Sequence, residues 1–248
     1  MTQDTTEDAF LGGRLRVLQP RQGYRAATDP VLMAAAVPAR TGQSVLELGC
    51  GVGVASLCLG ARVAGLRLAG LERQPGYAAL ARANAARNAV ALEVWEGCVT
   101  APPEPLRAQA FDHVMANPPW FDPAAPPARD PGRDAAQRED TPLAAWIDTG
   151  LRRLRPGGWL TMILPAARLP DALAALAGRA SAAVCPIAAR EGRAAGRVLV
   201  QARKGGRSPF VLGAALVMHA GSRHLRDGVD FTDIATAILH DAAPLSIS

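Results

Sequence analysis

The sequence predicts an α/β fold, a mostly parallel sheet with helices packed on both of its faces. From residue 44 onward, short apolar segments of strand length alternate with segments of helix length, the pattern of strand–helix–strand units. The first of these strands runs into a glycine-rich turn that opens a helix. At 248 residues, of which 49% are hydrophobic, the chain can bury one large core, which excludes a disordered protein.

Five predicted strands carry the alternation, at residues 44–48, 66–71, 92–95, 111–116 and 158–164. Helices are predicted at residues 54–63, 75–88, 142–154 and 169–177. Helical connections of this kind return each strand parallel to its neighbour. Three later strands, at residues 182–187, 197–203 and 210–219, have no helix between them, and the short connection 188–196 predicts a hairpin. We expect a mostly parallel seven-stranded sheet whose last strand is antiparallel, one strand fewer than these eight segments.

The chain is expected to divide into an N-terminal extension, residues 1–40, packed on a larger domain, residues 41–248. Residues 1–9 are polar and acidic, and we expect them to be disordered. The segment FLGGRLRVL at residues 10–18 predicts a hairpin-like element, because its paired glycines permit a turn between apolar ends.

The residues after this hairpin lead into the first helix. Residues 19–28 are polar and contain Gly23, which predicts a loop. Asp29 and Pro30 then open a helix over residues 31–37, since aspartate caps a helix and proline fits its first turn.

The amino-acid composition gives little information about which molecules the protein binds. The 27 basic and 22 acidic residues give a net charge of +5, which favours polyanions such as nucleic acid but is weak evidence alone. The four cysteines and four histidines have no metal-ligand spacing, so no metal is predicted. No leader pattern precedes the fold, and no apolar run reaches the ~18–20 residues that span a membrane. We expect a soluble cytoplasmic protein with no membrane partner.

The glycine-rich turn ELGCGVG, residues 47–53, is the first candidate site. Glycines let the backbone approach a ligand closely, and the helix behind them offers free N–H groups. Such a turn suits a dinucleotide, a phosphate or the methionine end of S-adenosylmethionine, or it is merely structural. The spacing G-x-G-x-G differs from that of dinucleotide-binding folds, which disfavours a dehydrogenase. The candidate cofactor-binding residues here are Glu47, Gly49, Gly51 and Gly53.

The next two strand ends extend this candidate site. Glu72, followed by Arg73, ends the second strand, where a carboxylate accepts hydrogen bonds from both hydroxyls of a ribose. The same carboxylate repels a 2′-phosphate, which argues against NADP. Cys98 and Val99 follow the third strand, where a nucleoside site contacts the adenine ring. We therefore count all four residues as cofactor-binding candidates.

The loop NPPW follows the fourth strand and carries the candidate chemistry. Two prolines stiffen it, and the oxygens of Asn117 and Pro118 can accept hydrogen bonds from an –NH₂ group. Trp120 supplies a flat face for a planar substrate. Holding both N–H groups aims the nitrogen lone pair at a methyl donor, so this arrangement favours methylation of a planar nitrogen. A purely structural Pro-Pro turn is the alternative.

Together, ELGCGVG, Glu72 and NPPW resemble the motifs of class I Rossmann-like methyltransferases. NPPW is similar to the Asn/Asp-Pro-Pro-aromatic motif of enzymes that methylate adenine N6, guanine N2 or a glutamine amide. Over nearly its whole length the chain looks like the tRNA1(Val) adenine-37 N6-methyltransferase family, although Cys98 stands where such families usually have Asp.

This resemblance implies S-adenosylmethionine as cofactor and adenine N6 in tRNA as acceptor. It assigns Asn117 and Pro118 to the amine and to catalysis, with Asn117 also beside the cofactor. Trp120 is expected to stack the flipped base, and Asp29 to help close the cofactor pocket. Two groups of basic residues are candidate RNA phosphate contacts: Arg14, Arg16, Arg21 and Arg25, and then Arg197, Arg203, Lys204 and Arg207.

Three alternatives stay open at this point. Methylation of guanine N2 in rRNA or of a protein glutamine would use the same loop. Relatives of both kinds carry an N-terminal domain, whereas only about forty residues precede the glycine turn here, which argues against them. A non-catalytic RNA-binding module that keeps the fold is the third alternative.

Overall fold

The computed structural model describes residues 4–119, 141–221 and 230–247. It opens with two antiparallel strands, β1 (Thr5–Phe10) and β2 (Leu15–Pro20), joined by a 3-10 turn at Leu11–Gly13. The predicted hairpin is therefore present, but the expectation of disorder over residues 1–9 is wrong from Thr5 onward. The acidic side chains of β1 are neutralised by arginines from elsewhere in the chain, which makes an ordered polar strand possible: Glu7 by Arg87 and Asp8 by Arg25.

The rest of the described chain alternates as predicted up to its sixth helix. The helices are α1 (Thr28–Ala36), α2 (Val54–Arg62), α3 (Pro75–Arg87), α4 (Glu104–Arg107), α5 (Leu143–Arg153), α6 (Leu169–Leu176) and α7 (Asp233–Asp241). The strands are β3 (Ser44–Leu48), β4 (Arg67–Glu72), β5 (Leu92–Glu96), β6 (Phe111–Ala116), β7 (Leu154–Pro165), β8 (Ala180–Arg190), β9 (Ala195–Lys204), β10 (Val211–Leu212) and β11 (Leu216–His219). The short helix α4 and the helix α7 were not predicted.

These nine strands form one sheet in the order β10-β8-β9-β7-β6-β3-β4-β5, with β11 also paired to β8. Strands β3 to β7 are parallel, whereas β9 is antiparallel to both β7 and β8. This is the predicted seven-stranded sheet with its antiparallel strand, and two short strands parallel to β8 extend it. The single strand predicted at residues 210–219 is therefore two strands.

Apolar side chains fill the space on both faces of the sheet. One cluster joins the hairpin and helices α1, α2, α3 and α7 to one face. The other joins α4, α5 and α6 to the opposite face. The division at residue 40 stays a prediction, because α1 lies in the same cluster as α2 of the later part of the chain.

The sheet brings four predicted site segments to one edge: the glycine turn after β3, Glu72 at the end of β4, Cys98 after β5 and the NPPW loop after β6. Strand β3 lies between β4 and β6, and all three run parallel, so their carboxyl ends meet at the same edge. From β3 the chain first adds β4 and β5 on one side and later β6 and β7 on the other. Ligands of open α/β sheets bind at such a reversal of strand order.

Candidate active site

A cavity of about 240 Å³ lies at this edge of the sheet. Ten of the residues predicted to form the site line it: Asp29, Glu47, Gly49, Gly51, Glu72, Arg73, Cys98, Val99, Asn117 and Pro118. Gly53 does not border the cavity, and Trp120 lies outside the described residues. The remaining wall is formed mainly by the loop of residues 21–27, here called the Tyr24 loop, together with Tyr77, Trp146 and Arg197.

The glycine turn has a backbone conformation that is unfavourable for residues other than glycine. Gly49, Gly51 and Gly53 have φ values of 67°, 53° and 89°, all in the left-handed region. A Cβ on Gly49 would lie 2.8 Å from the ring of Trp146, so this position excludes even a methyl group. Gly53 ends the turn at the start of α2 and packs near Ala81, which explains its presence away from the cavity.

Glu72 ties the end of β4 to the glycine turn. One carboxylate oxygen accepts from the Gly51 amide at 2.9 Å, and the other accepts from the Gln74 amide at 2.8 Å. Each carboxylate oxygen has two lone pairs, so the group can accept further hydrogen bonds beside those from backbone amides. Burial raises the pKa of Glu72, although the two amide bonds oppose that shift. The residue therefore shapes the turn as well as facing the cavity.

Glu47 is buried beneath the turn and lines the cavity. Its carboxylate accepts two hydrogen bonds from Ser56, from the backbone N–H at 3.0 Å and from the hydroxyl at 2.5 Å. Burial raises the pKa of Glu47 to about 8, against the opposing effect of the Ser56 bonds. Near neutral pH this residue therefore carries a proton in a large share of molecules.

Asn117 and Pro118 follow β6 at the cavity wall, with Pro118 buried and Asn117 half-buried. Between described residues, the Asn117 side chain makes one hydrogen bond, from Nδ2 to the Tyr24 hydroxyl at 3.5 Å. The predicted acceptor pair thus lies in the same cavity as the glycine turn. A flat substrate held there would meet both a stiff loop and the candidate cofactor residues.

Asp29 opens helix α1 beside the cavity. Its carboxylate accepts from Nε of Arg197 on β9 at 3.1 Å, in a partly buried ion pair. This ion pair joins two segments of the cavity wall that are far apart in the sequence. The RNA contact expected of Arg197 stays a prediction, and in this structure its guanidinium is paired with Asp29.

Cys98 and Val99 follow β5 at the far wall. Val99 is buried, and its carbonyl accepts from the Thr149 hydroxyl at 2.9 Å. The Cys98 thiol lies 3.1 Å from the Thr100 hydroxyl, a contact that lowers its pKa. Where similar families carry a carboxylate, this chain therefore has a thiol hydrogen-bonded to a hydroxyl.

Sequence reasoning missed the residues that hold the Tyr24 loop. The hydroxyl of Tyr77 accepts from the Tyr24 amide at 2.8 Å and donates to the Tyr24 carbonyl at 3.2 Å. Gln19, which is buried, bonds both the amide and the carbonyl of Ala26. The sequence offered only weak signals, a buried position for Gln19 in a mixed strand and one tyrosine in an alanine-rich helix.

The two groups of basic residues have different surroundings. Each of the first four lies within salt-bridge distance of a carboxylate: Arg14 of Asp241, Arg16 of Glu7, Arg21 of Asp4 and Arg25 of Asp8. The second group is divided, because β9 runs away from the cavity. Arg203 and Lys204 end that strand, roughly 20 Å from Arg197 at ~3.3 Å per residue, on the opposite edge of the sheet. They cannot join Arg197 in one contact beside the cavity.

Two further observations concern metals and membranes. In the described ranges, no cluster of three or more His, Cys, Asp or Glu residues could hold a metal ion. Among the helices that the structure describes, none has the length and apolar character needed to cross a membrane.

The family model of the methyltransferase small domain matches residues 27–177, which are more than half of the chain. A tRNA1(Val) (adenine(37)-N6)-methyltransferase of Dickeya chrysanthemi is 33% identical over 204 residues, covering 77% of this chain and 78% of that protein. A release factor glutamine methyltransferase of Geobacter sulfurreducens is 32% identical, but over 60% of this chain and 53% of that protein.

Solved structures show the same fold. A predicted O-methyltransferase from Agrobacterium tumefaciens superposes with a TM-score of 0.71 and 26% identity, covering 88% of this chain and 98% of the other. A 16S rRNA N2 G1207 methyltransferase of Thermus thermophilus, in complex with S-adenosylmethionine and guanosine, gives a TM-score of 0.54 at 18% identity. It covers 81% of this chain and 50% of the other.

The cavity suits the cofactor of these proteins. Its lining combines a glycine turn, three carboxylates and apolar side chains, which match the polar methionine end, the ribose and the adenine of S-adenosylmethionine. A Cβ on Gly51 would meet nothing within 4 Å, so the turn leaves open space beside the cavity. The chain belongs to the methyltransferase small domain family and is a class I methyltransferase that uses S-adenosylmethionine.

Proposed function

We propose that this methyltransferase acts on the N6 nitrogen of an adenine in tRNA. The observation that carries the proposal is the position of Asn117 and Pro118, which share one cavity with the glycine turn and Glu72. The similarity to tRNA1(Val) (adenine(37)-N6)-methyltransferases, which extends over about three quarters of the chain, supports adenine as the acceptor.

The chemistry follows from what an exocyclic amine needs. Its lone pair is delocalised into the ring, so it is a poor nucleophile until its two hydrogens are held by acceptors. We assign these bonds to the Asn117 side-chain oxygen and the Pro118 carbonyl, which lie on a loop stiffened by two prolines. Trp120 follows two residues later, and we assign it the stacking of the flipped base.

The remaining predicted residues are assigned to the cofactor. S-adenosylmethionine, when bound, supplies the electrophilic methyl group. We assign Glu72 to the ribose hydroxyls, since its carboxylate lines the cavity and keeps acceptor capacity beyond its bonds to backbone amides. We assign Cys98 and Val99 to the adenine ring, and the turn of Glu47, Gly49 and Gly51 to the methionine end. Arg73 and Asp29 close the two sides of the cavity.

The described cavity lining holds no histidine or lysine, and we assign no general-base role to its carboxylates. None is required, because the nitrogen proton becomes acidic only after the methyl group has been transferred. The proton then passes to solvent, and the roles of Asn117 and Pro118 are positioning and stabilisation of positive charge on nitrogen.

A tRNA substrate would approach the carboxyl edge of the sheet, where the cavity opens, and we place the enzyme in the cytoplasm with that substrate. On this edge Arg193 is exposed at the tip of the β8–β9 hairpin, and Arg197 lies at the start of β9. We propose that phosphate contacts come from this side, and not from Arg203 and Lys204 on the opposite edge.

A glutamine amide is the second candidate acceptor, because it presents the same planar –NH₂ group and a glutamine methyltransferase is 32% identical. Guanine N2 would also fit the same pair of acceptors. A non-catalytic RNA-binding module is the remaining alternative, and calorimetry with S-adenosylmethionine tests it directly.

The experiment that decides between them is incubation of the protein with methyl-labelled S-adenosylmethionine and, in separate reactions, total tRNA, rRNA or a release factor, followed by nucleoside or amino-acid analysis. We expect label in N6-methyladenosine. Label in N2-methylguanosine or in a release factor would reject the adenine proposal. Absence of cofactor binding at millimolar concentration would favour the binding module.

A further inference from the structure

The Tyr24 hydroxyl faces the side chain of Asn117, which under the proposed function binds the acceptor amine. Its oxygen lies 3.5 Å from Nδ2 of Asn117, and both residues line the cavity. Hydrogen bonds in unliganded active sites are often long and shorten when substrate binds. The contact therefore joins the Tyr24 loop to the NPPW loop at the place where chemistry is proposed.

The orientation of the Asn117 amide decides whether it can act. An asparagine side chain has one acceptor end and one donor end. Only the oxygen can accept a hydrogen from the substrate amine, whereas a flipped amide would present N–H groups to N–H groups. A hydrogen-bond acceptor beside Nδ2 favours the productive orientation, and the Tyr24 oxygen is in that position.

The surroundings of Tyr24 leave its oxygen free to accept. Burial, followed by the negative charges of Asp29 and Glu47, raises the pKa of Tyr24 far above its usual value, so the phenol stays protonated. A protonated phenol oxygen keeps two lone pairs that can accept a hydrogen bond. The lone pairs can then face Asn117.

The backbone of Tyr24 is held firmly enough to serve this purpose. Tyr77 bonds both the amide and the carbonyl of Tyr24, and Gln19 does the same for Ala26 two residues later. Gln19 also donates to Asp8 at 2.8 Å, which is paired with Arg25. These contacts order an irregular loop on both sides of the tyrosine.

We propose that Tyr24 is a positioning residue that holds the Asn117 amide with its oxygen directed at the acceptor nitrogen. The proposal rests on the proposed role of Asn117 and adds a residue that no motif marks. It requires that Tyr24 act through Asn117 and not through the cofactor alone.

A double-substitution experiment separates these two routes. Tyr24→Phe removes the hydroxyl, and we expect kcat for tRNA methylation to fall by about tenfold with cofactor affinity within about twofold. Asn117→Asp replaces the amide with a carboxylate, whose two oxygens both accept, so it has no wrong orientation. In that background we expect Tyr24→Phe to change kcat by less than about twofold.

Thr149→Val is the matched control, because it removes a hydroxyl that bonds Val99 on the cofactor side of the cavity. Its effect on kcat should be the same in both backgrounds. Thermal melting confirms that each variant is folded. An equal loss of kcat for Tyr24→Phe in both backgrounds would overturn the proposal, since it would show a role independent of the amide.

A second measurement needs no methyl acceptor. With ¹⁵N-labelled asparagine, the Asn117 side-chain signal is identified by its loss in Asn117→Asp. We expect Tyr24→Phe to shift this signal and to accelerate its exchange with water severalfold. Unchanged shift and exchange would overturn the positioning role even if tRNA is methylated. If the wild-type protein leaves tRNA unmethylated while Tyr24→Phe still shifts the Asn117 signal and accelerates its exchange, that result would overturn only the proposed function.

Discussion

The two halves of the cavity are held in place by different means. The glycine turn is fixed mainly through its backbone amides: those of Gly49 and Cys50 donate to the Leu71 carbonyl on β4, and that of Gly53 donates to Cys50. The Tyr24 loop makes no regular secondary structure and is fixed by side chains of Tyr77 and Gln19. One half depends on backbone conformation, the other on side chains from distant elements.

This difference teaches where substitutions should act. In the glycine turn, added volume or backbone strain should damage cofactor binding. In the Tyr24 and NPPW loops, loss of a single polar group should lower turnover while cofactor binding survives. The following three predictions test that contrast.

Asn117→Ala should have the largest effect. Without the side-chain oxygen, kcat should fall by about 10²–10³-fold, the usual consequence of losing one oriented hydrogen-bonding group in a transition state. The affinity for S-adenosylmethionine, measured by calorimetry, should stay within about threefold. An equal loss of affinity and turnover would show that the two halves of the cavity are not separable.

Gly49→Ala should act in the opposite way. Its φ of 67° is strained for alanine, and the new Cβ would lie 2.8 Å from Trp146. We expect cofactor affinity to fall by at least about tenfold and stability by about 1–3 kcal/mol.

Gly42→Ala is the matched control, because its φ is 85° but a Cβ there meets nothing within 4 Å. It should show the backbone strain alone and leave cofactor affinity unchanged. If both variants bind cofactor like the wild type, the contact with Trp146 does not shape the turn.

Glu47→Gln should change the pH dependence of stability. The pKa of Glu47 is raised from its usual 4.5 to about 8 in the folded protein, so the folded state keeps a proton that the unfolded state releases between these values. Wild-type stability should therefore fall as pH rises from about 5 to 8, by at most about 1.4 kcal/mol per pH unit from this group.

The glutamine variant keeps an oxygen for the Ser56 bonds but does not titrate. The difference in unfolding free energy between wild type and variant, measured by urea denaturation from pH 5 to 9, should decrease across this window. Parallel curves would mean that Glu47 is ionised in the folded protein.

The sequence analysis succeeded where structure is local. The glycine turn, Glu72 and Asn117 were found because strand, turn and helix signals are adjacent in the chain, and parallel strands bring such ends together. It failed for Tyr24, Tyr77 and Gln19, since their contacts join residues up to 93 positions apart and leave no periodic pattern.

Charge was the least informative pattern. The order of β1 depends on acidic side chains meeting arginines from other segments, and composition alone suggested disorder. Arg197 and Arg203 belong to one basic stretch of sequence, yet a strand carries them to opposite edges of the sheet. Which charges share a surface is set by topology, not by distance along the chain.

The ion pair between Asp29 and Arg197 also bears on the order of synthesis. Asp29 leaves the ribosome early, and its partner follows 168 residues later. A nascent chain that has reached residue 177, where the family match ends, already holds the glycine turn and Asn117 but not β9. The cavity wall is therefore completed only once β9 has been translated, and a nascent chain that stops at residue 177 lacks this ion pair.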